Sequence, residues 1–170
     1  MKLIKIIFLS LLLTSCARKT ALTTEIIKKY NFSESSLRQI QLYSSKDIVL
    51  SKVQDESNVT VKEGKIFLLD EKNSETVFIK RGTPCILDTM ISTNQLIVSF
   101  ENGANRLLAF GNDNSGSLSL EAVSWFGGKG KLQYAGKTYS AANGDACLLV
   151  KARKLNRLKS RMRLVKGRKV

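Results

Sequence analysis

Chemistry in this chain has few carriers: three cysteines, 14 carboxylates, 28 lysines and arginines, and no histidine. Without an imidazole neither a Ser-His-Asp nor a Cys-His arrangement can be assembled, and zinc loses its usual nitrogen ligand. Two carboxylates flanking a bond can still serve as acid and base. Asp70, Glu71, Asp88, Glu101, Glu121 and Asp145 are candidates, but no spacing among them selects a pair. Asp113 and Asp145 stand in Asn- and Gly-rich stretches, where such side chains make turns, and no acidic ladder has calcium-loop spacing. The run Gly127-Gly128-Lys129-Gly130-Lys131 invites a phosphate-loop reading. That loop needs a helix N-terminus and a Ser or Thr after its lysine; here Leu132-Gln133-Tyr134 follows, a strand pattern. A hairpin turn is expected instead, in a protein with no enzymatic site, metal or cofactor.

Cys16 has the most distinctive surroundings. Lys2 and Lys5 precede an apolar run over residues 6–13, and Leu13-Thr14-Ser15-Cys16 closes it. This is the charged start, apolar stretch and small-residue cleavage site of a secretory signal. The run falls short of the roughly 20 residues that a membrane span takes. Leu13, Thr14, Ser15 and Cys16 together resemble the cleavage box of the bacterial lipoprotein precursor family, and the resemblance covers residues 1–16 only. It implies removal of residues 1–15, a diacylglycerol thioether on Cys16 and acylation of the new amino terminus. Two or more acyl chains anchor stably, since each buried methylene contributes about 0.8 kcal/mol. In that family an Asp directly after the cysteine often retains the protein at the inner membrane, and in certain lineages an acidic run marks the cell surface. Ala17-Arg18-Lys19 provides neither. For a Gram-negative source the resemblance therefore implies a cell-envelope protein, lipid-anchored at the outer membrane and facing the periplasm.

Cys85 and Cys147 lie in the apolar stretches Pro84-Cys85-Ile86-Leu87 and Ala146-Cys147-Leu148-Leu149. An oxidising compartment permits a disulfide between them, and the same surroundings suit free cysteines packed as small hydrophobes. The net charge of +14 is unevenly spread. Ten of the 28 bases fall in residues 151–170, which hold no acid, and Lys2 and Lys5 leave with the signal, so 16 bases face 14 acids elsewhere. The body is ordinary in charge; the tail is not.

Several elements must position these groups. Residues 20–30 have a helical pattern, with Thr23 or Thr24 as cap and Ile26, Ile27 and Tyr30 near helical spacing. Ser33-Glu34-Ser35-Ser36 offers a second start through Leu37 and Gln39. A tether holding the domain off the membrane is the competing reading. From Ile40 the pattern turns to period two: Ile40 and Leu42, Ile48 and Leu50, Val59 and Val61, Val77 and Ile79. It continues with Leu96, Val98 and Phe100, then Leu118, Leu120 and Ala122, then Leu132 and Tyr134. Such short alternating runs read as half-buried strands. Glu63-Gly64, Asn102-Gly103 and Ala135-Gly136 supply tight turns. Residues 112–116 and 142–145 supply longer loops. No crossover segments of the length a parallel sheet needs are found. The fold class expected is mainly β, a small antiparallel sandwich or barrel over 39–152. A lipidated tether with a short helical segment at 16–38 precedes it, and a basic tail at 153–170 follows.

Two groups of residues could bind a partner. Trp125, Phe126, Tyr134 and Tyr139 concentrate around the glycine turn and form either core and cross-strand pairs or a ligand platform. In the tail, Leu155, Leu158, Met162 and Val165 recur at three- and four-residue steps. Lys151, Arg153, Lys154, Arg157, Lys159, Arg161, Arg163, Lys166, Arg168 and Lys169 supply the charge. This is the make-up of a basic amphipathic helix; repulsion at four-residue spacing leaves a solvated extension open as well. With lipid on Cys16 the tail meets no chromosomal DNA, so nucleic acid is not an expected partner. Anionic lipid, lipopolysaccharide, peptidoglycan or an acidic envelope protein remain. The function expected is that of a membrane-anchored envelope lipoprotein with a structural or interaction role, its basic arm contacting one of these. The alternative is a carbohydrate- or peptide-binding β module.

Overall fold

The computed structural model describes residues 18–53, 59–62, 65–68, 75–113 and 115–159; for 59–62, 65–68 and 156–159 it gives the backbone course alone. The chain begins with strand β1 (Lys19–Ala21), helices α1 (Thr24–Lys29) and α2 (Glu34–Arg38), and strands β2 (Leu42–Ser44) and β3 (Ile48–Lys52). The hairpin β4 (Val59–Lys62) and β5 (Lys65–Leu68) follows, then β6 (Thr76–Ile79), β7 (Pro84–Ser92), β8 (Gln95–Ser99) and β9 (Leu107–Asn112). The last elements are β10 (Leu118–Leu120), β11 (Ser124–Phe126), β12 (Lys129–Tyr134), β13 (Lys137–Ala142), β14 (Leu148–Lys151) and helix α3 (Ala152–Lys159).

Period-two alternation puts one face of each strand inward. In β12, Lys129, Lys131 and Gln133 are exposed while Gly130, Leu132 and Tyr134 are buried. Among the described residues the strands form a seven-stranded sheet, β1-β14-β2-β7-β8-β9-β10, and a five-stranded sheet, β11-β12-β13-β3-β6; β4 and β5 pair alone. Every pairing between strands is antiparallel. Neighbouring strands cross from one sheet to the other through bends at 45–47, 80–83 and 143–146: β2 runs into β3, β6 into β7 and β13 into β14. Bonds tie these bends together. Ser45 N–H donates to the Cys147 carbonyl at 2.9 Å, and Gly82 N–H to that of Ser44 at 2.8 Å. The Asn143 amide donates to the Asp47 carbonyl at 3.0 Å. Reversing direction here calls for left-handed backbone, which Gly82 (φ +80°) and Asn143 (φ +64°) provide. Folding at this line lays the sheets face to face as a small antiparallel sandwich. Leu42, Leu50, Leu96, Val98, Phe110, Tyr134, Tyr139 and Leu148 fill the core. The edges of the larger sheet also meet: Leu118 N–H donates to the Leu22 carbonyl at 3.3 Å, and Ser119 bridges to Cys147.

The N-terminal segment departs from the sequence reading. The expected helical stretch from Thr20 opens instead as β1, with Lys19 opposite Lys151 and Ala21 opposite Leu149. The edge of β14 offers unpaired backbone groups, and taking them up buries Leu22 completely. The helix starts at Thr24, where the Thr23 hydroxyl accepts from the Ile26 N–H at 3.2 Å. Ser33 caps α2 in the same way, and Ile27 and Leu37 fix both helices to the core. Segment 19–40 is thus part of the fold. Glu34 holds α2 to β7 by accepting from the Met90 N–H at 3.2 Å and from Arg38 at 2.9 Å.

The disulfide is absent: Cys85 and Cys147 are both free. Strand β2 runs between them, with Cys85 opposite Leu42 on one side and Ser44 opposite Leu148 on the other. Two lateral strand steps of about 4.8 Å each exceed the roughly 7 Å a disulfide can bridge. Burial pushes the Cys85 thiol up to about 12.

A candidate cleft at the bend and a basic end opposite it

The candidate platform does not assemble as four residues. Tyr134 and Tyr139 face the core, 2% and 0% exposed, and meet edge to face with ring centroids 6.1 Å apart. Tyr134 shares the inward face of β12 with Leu132, a parity readable in the sequence as Leu132-x-Tyr134. Its hydroxyl donates to Glu101 at 2.7 Å, and Glu101 also pairs with Arg106 at 3.1 Å. Burial, then the Glu101 carboxylate, raises the Tyr134 phenol far above its ordinary range. Phe126 and Trp125 occupy the short edge strand β11, where Phe126 is 90% exposed. The run Gly127-Gly128-Lys129 turns this hairpin rather than holding phosphate: Gly127 and Gly128 have φ +55° and +77°, and strand β12 follows.

Trp125 borders an open cleft of about 910 Å³ between the bend and the tips of the larger sheet. The β7–β8 turn gives it Ser92, Asn94 and Gln95. From β9 onward come Gly111, Asn112, Asp113, Ser119 and Glu121, and from the bend Gly144 and Asp145. Sequence reasoning missed the three amides and the glycines, which come from three separate stretches of the five that make the cleft. Asp113 is committed to its own turn: it accepts from Ser115 and Ser117 N–H at 2.8 and 3.0 Å and from the Ser119 hydroxyl at 2.6 Å. The Ser115 and Ser119 hydroxyls hold its carboxyl below the usual range. Asp145 pairs with Lys46. Of the candidate carboxylates among the described residues, Glu121 and Asp145 reach this cleft. Glu101 serves Tyr134, Asp88 accepts from the Thr89 hydroxyl at 2.9 Å, and Asp70 and Glu71 lie outside the described residues. Among the described residues no cluster of three metal-ligating side chains occurs.

The tail leaves from the far end of β14. Helix α3 starts directly after Lys151, the Ala152 N–H donates to the Arg18 carbonyl at 3.0 Å, and Leu155 is buried against the body. Lys19 and Lys151 both lie over the Tyr43 ring, 3.8 and 5.5 Å from its centre. Arg18, Lys19, Arg153 and Lys154 are exposed and Lys151 is half-buried. Among the described residues none of these five bases belongs to an ion pair. Arg157 and Lys159 continue the helix in backbone only. Cys16, Arg161, Arg163, Lys166, Arg168 and Lys169 lie outside the described residues.

Comparison of the chain with protein-family models, with curated proteins and with solved structures finds no match in any of the three.

Proposed function

We propose that this is an envelope lipoprotein that acts by binding, held to one membrane by acyl chains on Cys16 and by the basic start of its C-terminal arm. The observation that carries the reading is the pairing of the two chain ends. Lys19 stands opposite Lys151, and Ala152 donates to Arg18. Cys16 precedes Arg18 by two residues, so the chain cannot place it more than about 7 Å away. A lipid on Cys16 would therefore enter the bilayer beside α3. Arg18, Lys19, Lys151, Arg153 and Lys154 would face the headgroups of that same membrane, each contributing about 1 kcal/mol on an anionic surface at low salt. For a Gram-negative source, the resemblance to lipoprotein precursors, with neither Asp nor an acidic run after Cys16, favours the periplasmic face of an outer membrane.

Fractionation of cells tests both contacts. The wild type should stay with membranes through a high-salt wash. Cys16→Ala, secreted with a cleavable non-lipoprotein signal in place of residues 1–15, should remain with membranes at low salt and be released as salt rises. Adding Arg153→Ala and Lys154→Ala to it should weaken the residual binding by about 2 kcal/mol, roughly 30-fold. A Cys16→Ala protein found wholly soluble at low salt would remove the arm from the reading. Unaltered membrane retention of that variant at high salt would remove the lipid.

A further inference from the structure

The proposed membrane contact does not draw on the cleft beside Trp125, whose lining has a chemistry of its own. Glycines shape it. A Cβ on Gly144 would come within 2.2 Å of the indole Cη2 and one on Gly130 within 2.8 Å, so the ring rests directly on backbone. A Cβ on Gly111 would stand 2.9 Å from Glu121 Oε2, so that carboxylate is seated on backbone too. Trp125 still keeps 42% of its surface exposed. The result is an apolar plane fixed from behind and open in front. Beside it, Gln95 Nε2 donates to Glu121 Oε2 at 2.7 Å and orients the carboxylate. Among the described residues no hydrogen bond occupies the second Glu121 oxygen or the Asn112 side-chain amide.

Charge narrows the ligand. Among the described residues no lysine or arginine lines the cleft, in a chain of net charge +14. A phosphate, sulfate or carboxylate would therefore face Asp113, Glu121 and Asp145, and of these three only Asp145 has a base among the described residues, Lys46, paired with it. Five of the ten side chains lining it are neutral amides or hydroxyls, which both donate and accept. Groups that also do both, set around a flat C–H face, are the hydroxyls of a pyranose ring. We propose that the cleft binds a neutral saccharide chain, with Trp125 against the C–H face of one ring and Asn94, Asn112 and Glu121 holding its hydroxyls. A volume of about 910 Å³ is within the range of small-molecule sites.

The test is calorimetric titration of the mature chain with maltotriose, cellotriose and tri-N-acetylchitotriose, beside dextran sulfate and pentalysine. At least one neutral trimer should bind saturably and change the emission of Trp125, the chain's single tryptophan. Trp125→Ala should then weaken binding about tenfold or more. Asn112→Ala, at an exposed position, should weaken it about two- to tenfold without touching the fold. The idea is overturned if no trimer binds, if only the sulfated polymer or the lysine peptide does, or if Asn112→Ala leaves trimer affinity unchanged. Membrane retention is measured separately and does not depend on this outcome.

Discussion

Trp125 is held by what its neighbours lack. Because a Gly144 Cβ would meet the indole at 2.2 Å, Gly144→Ala cannot be accommodated without moving the ring or the bend. Overpacking of this kind costs about 1–3 kcal/mol. With one tryptophan in the chain, emission reads the displacement directly: a red shift is expected while the far-ultraviolet dichroism stays that of the wild type. Unchanged emission would mean that the glycine does not set the ring. The cysteines make a second statement at this scale. With strand β2 between them, Cys85 and Cys147 should both titrate as free thiols in denaturant, even after isolation from an oxidising compartment. In the native state Cys147 should react first with a thiol reagent, because Cys85 is buried and its thiolate is suppressed until about pH 12. A protein with no titratable thiol in denaturant would contradict the pairing order of β14, β2 and β7.

Helix α2 is attached to strand β7 through one carboxylate. The Met90 N–H, then the Arg38 side chain, hold Glu34 below its ordinary value of 4.5. A depressed folded-state pKa adds stability that is fully present above the unfolded value and is lost as pH falls through the folded one. Glu34→Gln should therefore lower the melting temperature at pH 7 and progressively less below pH 4.5, until the two proteins converge once Glu34 is protonated in both states. A melting difference constant from pH 7 to pH 3 would deny the contact its charge. Alternation such as that of Leu96 and Val98 made strands legible from residues alone, and so did caps such as Thr23 and Ser33, whereas residues 129–131, expected in the hairpin turn, already belong to β12. Strand β1 was not legible: three residues carry no period, and Lys19–Ala21 becomes a strand only because β14, about 130 residues later, leaves an edge open. The cleft was hidden for the same reason. Glu121 and Trp125 stood out as residue types, but Asn94, Gln95, Asn112 and Gly144 gain meaning only when bends fold one sheet over the other. Of the two readings left open for the aromatics, core packing holds for Tyr134 and Tyr139, which strand parity turns inward, while Trp125 and Phe126 stay at the surface.

At the scale of the molecule, β14 separates two surfaces of opposite character. Its start adjoins Gly144 and Asp145 of the cleft, and its end adjoins the unpaired bases around Arg18 and Lys151. The four strand steps from Cys147 to Lys151 alone span about 13 Å, so a body docked through its basic end should hold Trp125 clear of the bilayer. This orientation can be measured with the same single tryptophan. Mature protein bound to vesicles of anionic phospholipid should show no quenching of Trp125 by brominated acyl chains. A tryptophan introduced by Lys154→Trp on a Trp125→Phe background, on the exposed face of α3, should be quenched more strongly. Raising salt should detach the unlipidated Cys16→Ala form without changing its emission, because screening weakens the basic contact and leaves the cleft as it was. Strong quenching of Trp125 itself would mean that the exposed edge strand with Phe126, not the paired chain ends, faces the lipid. The cleft would then be closed to a saccharide whenever the protein is on its membrane.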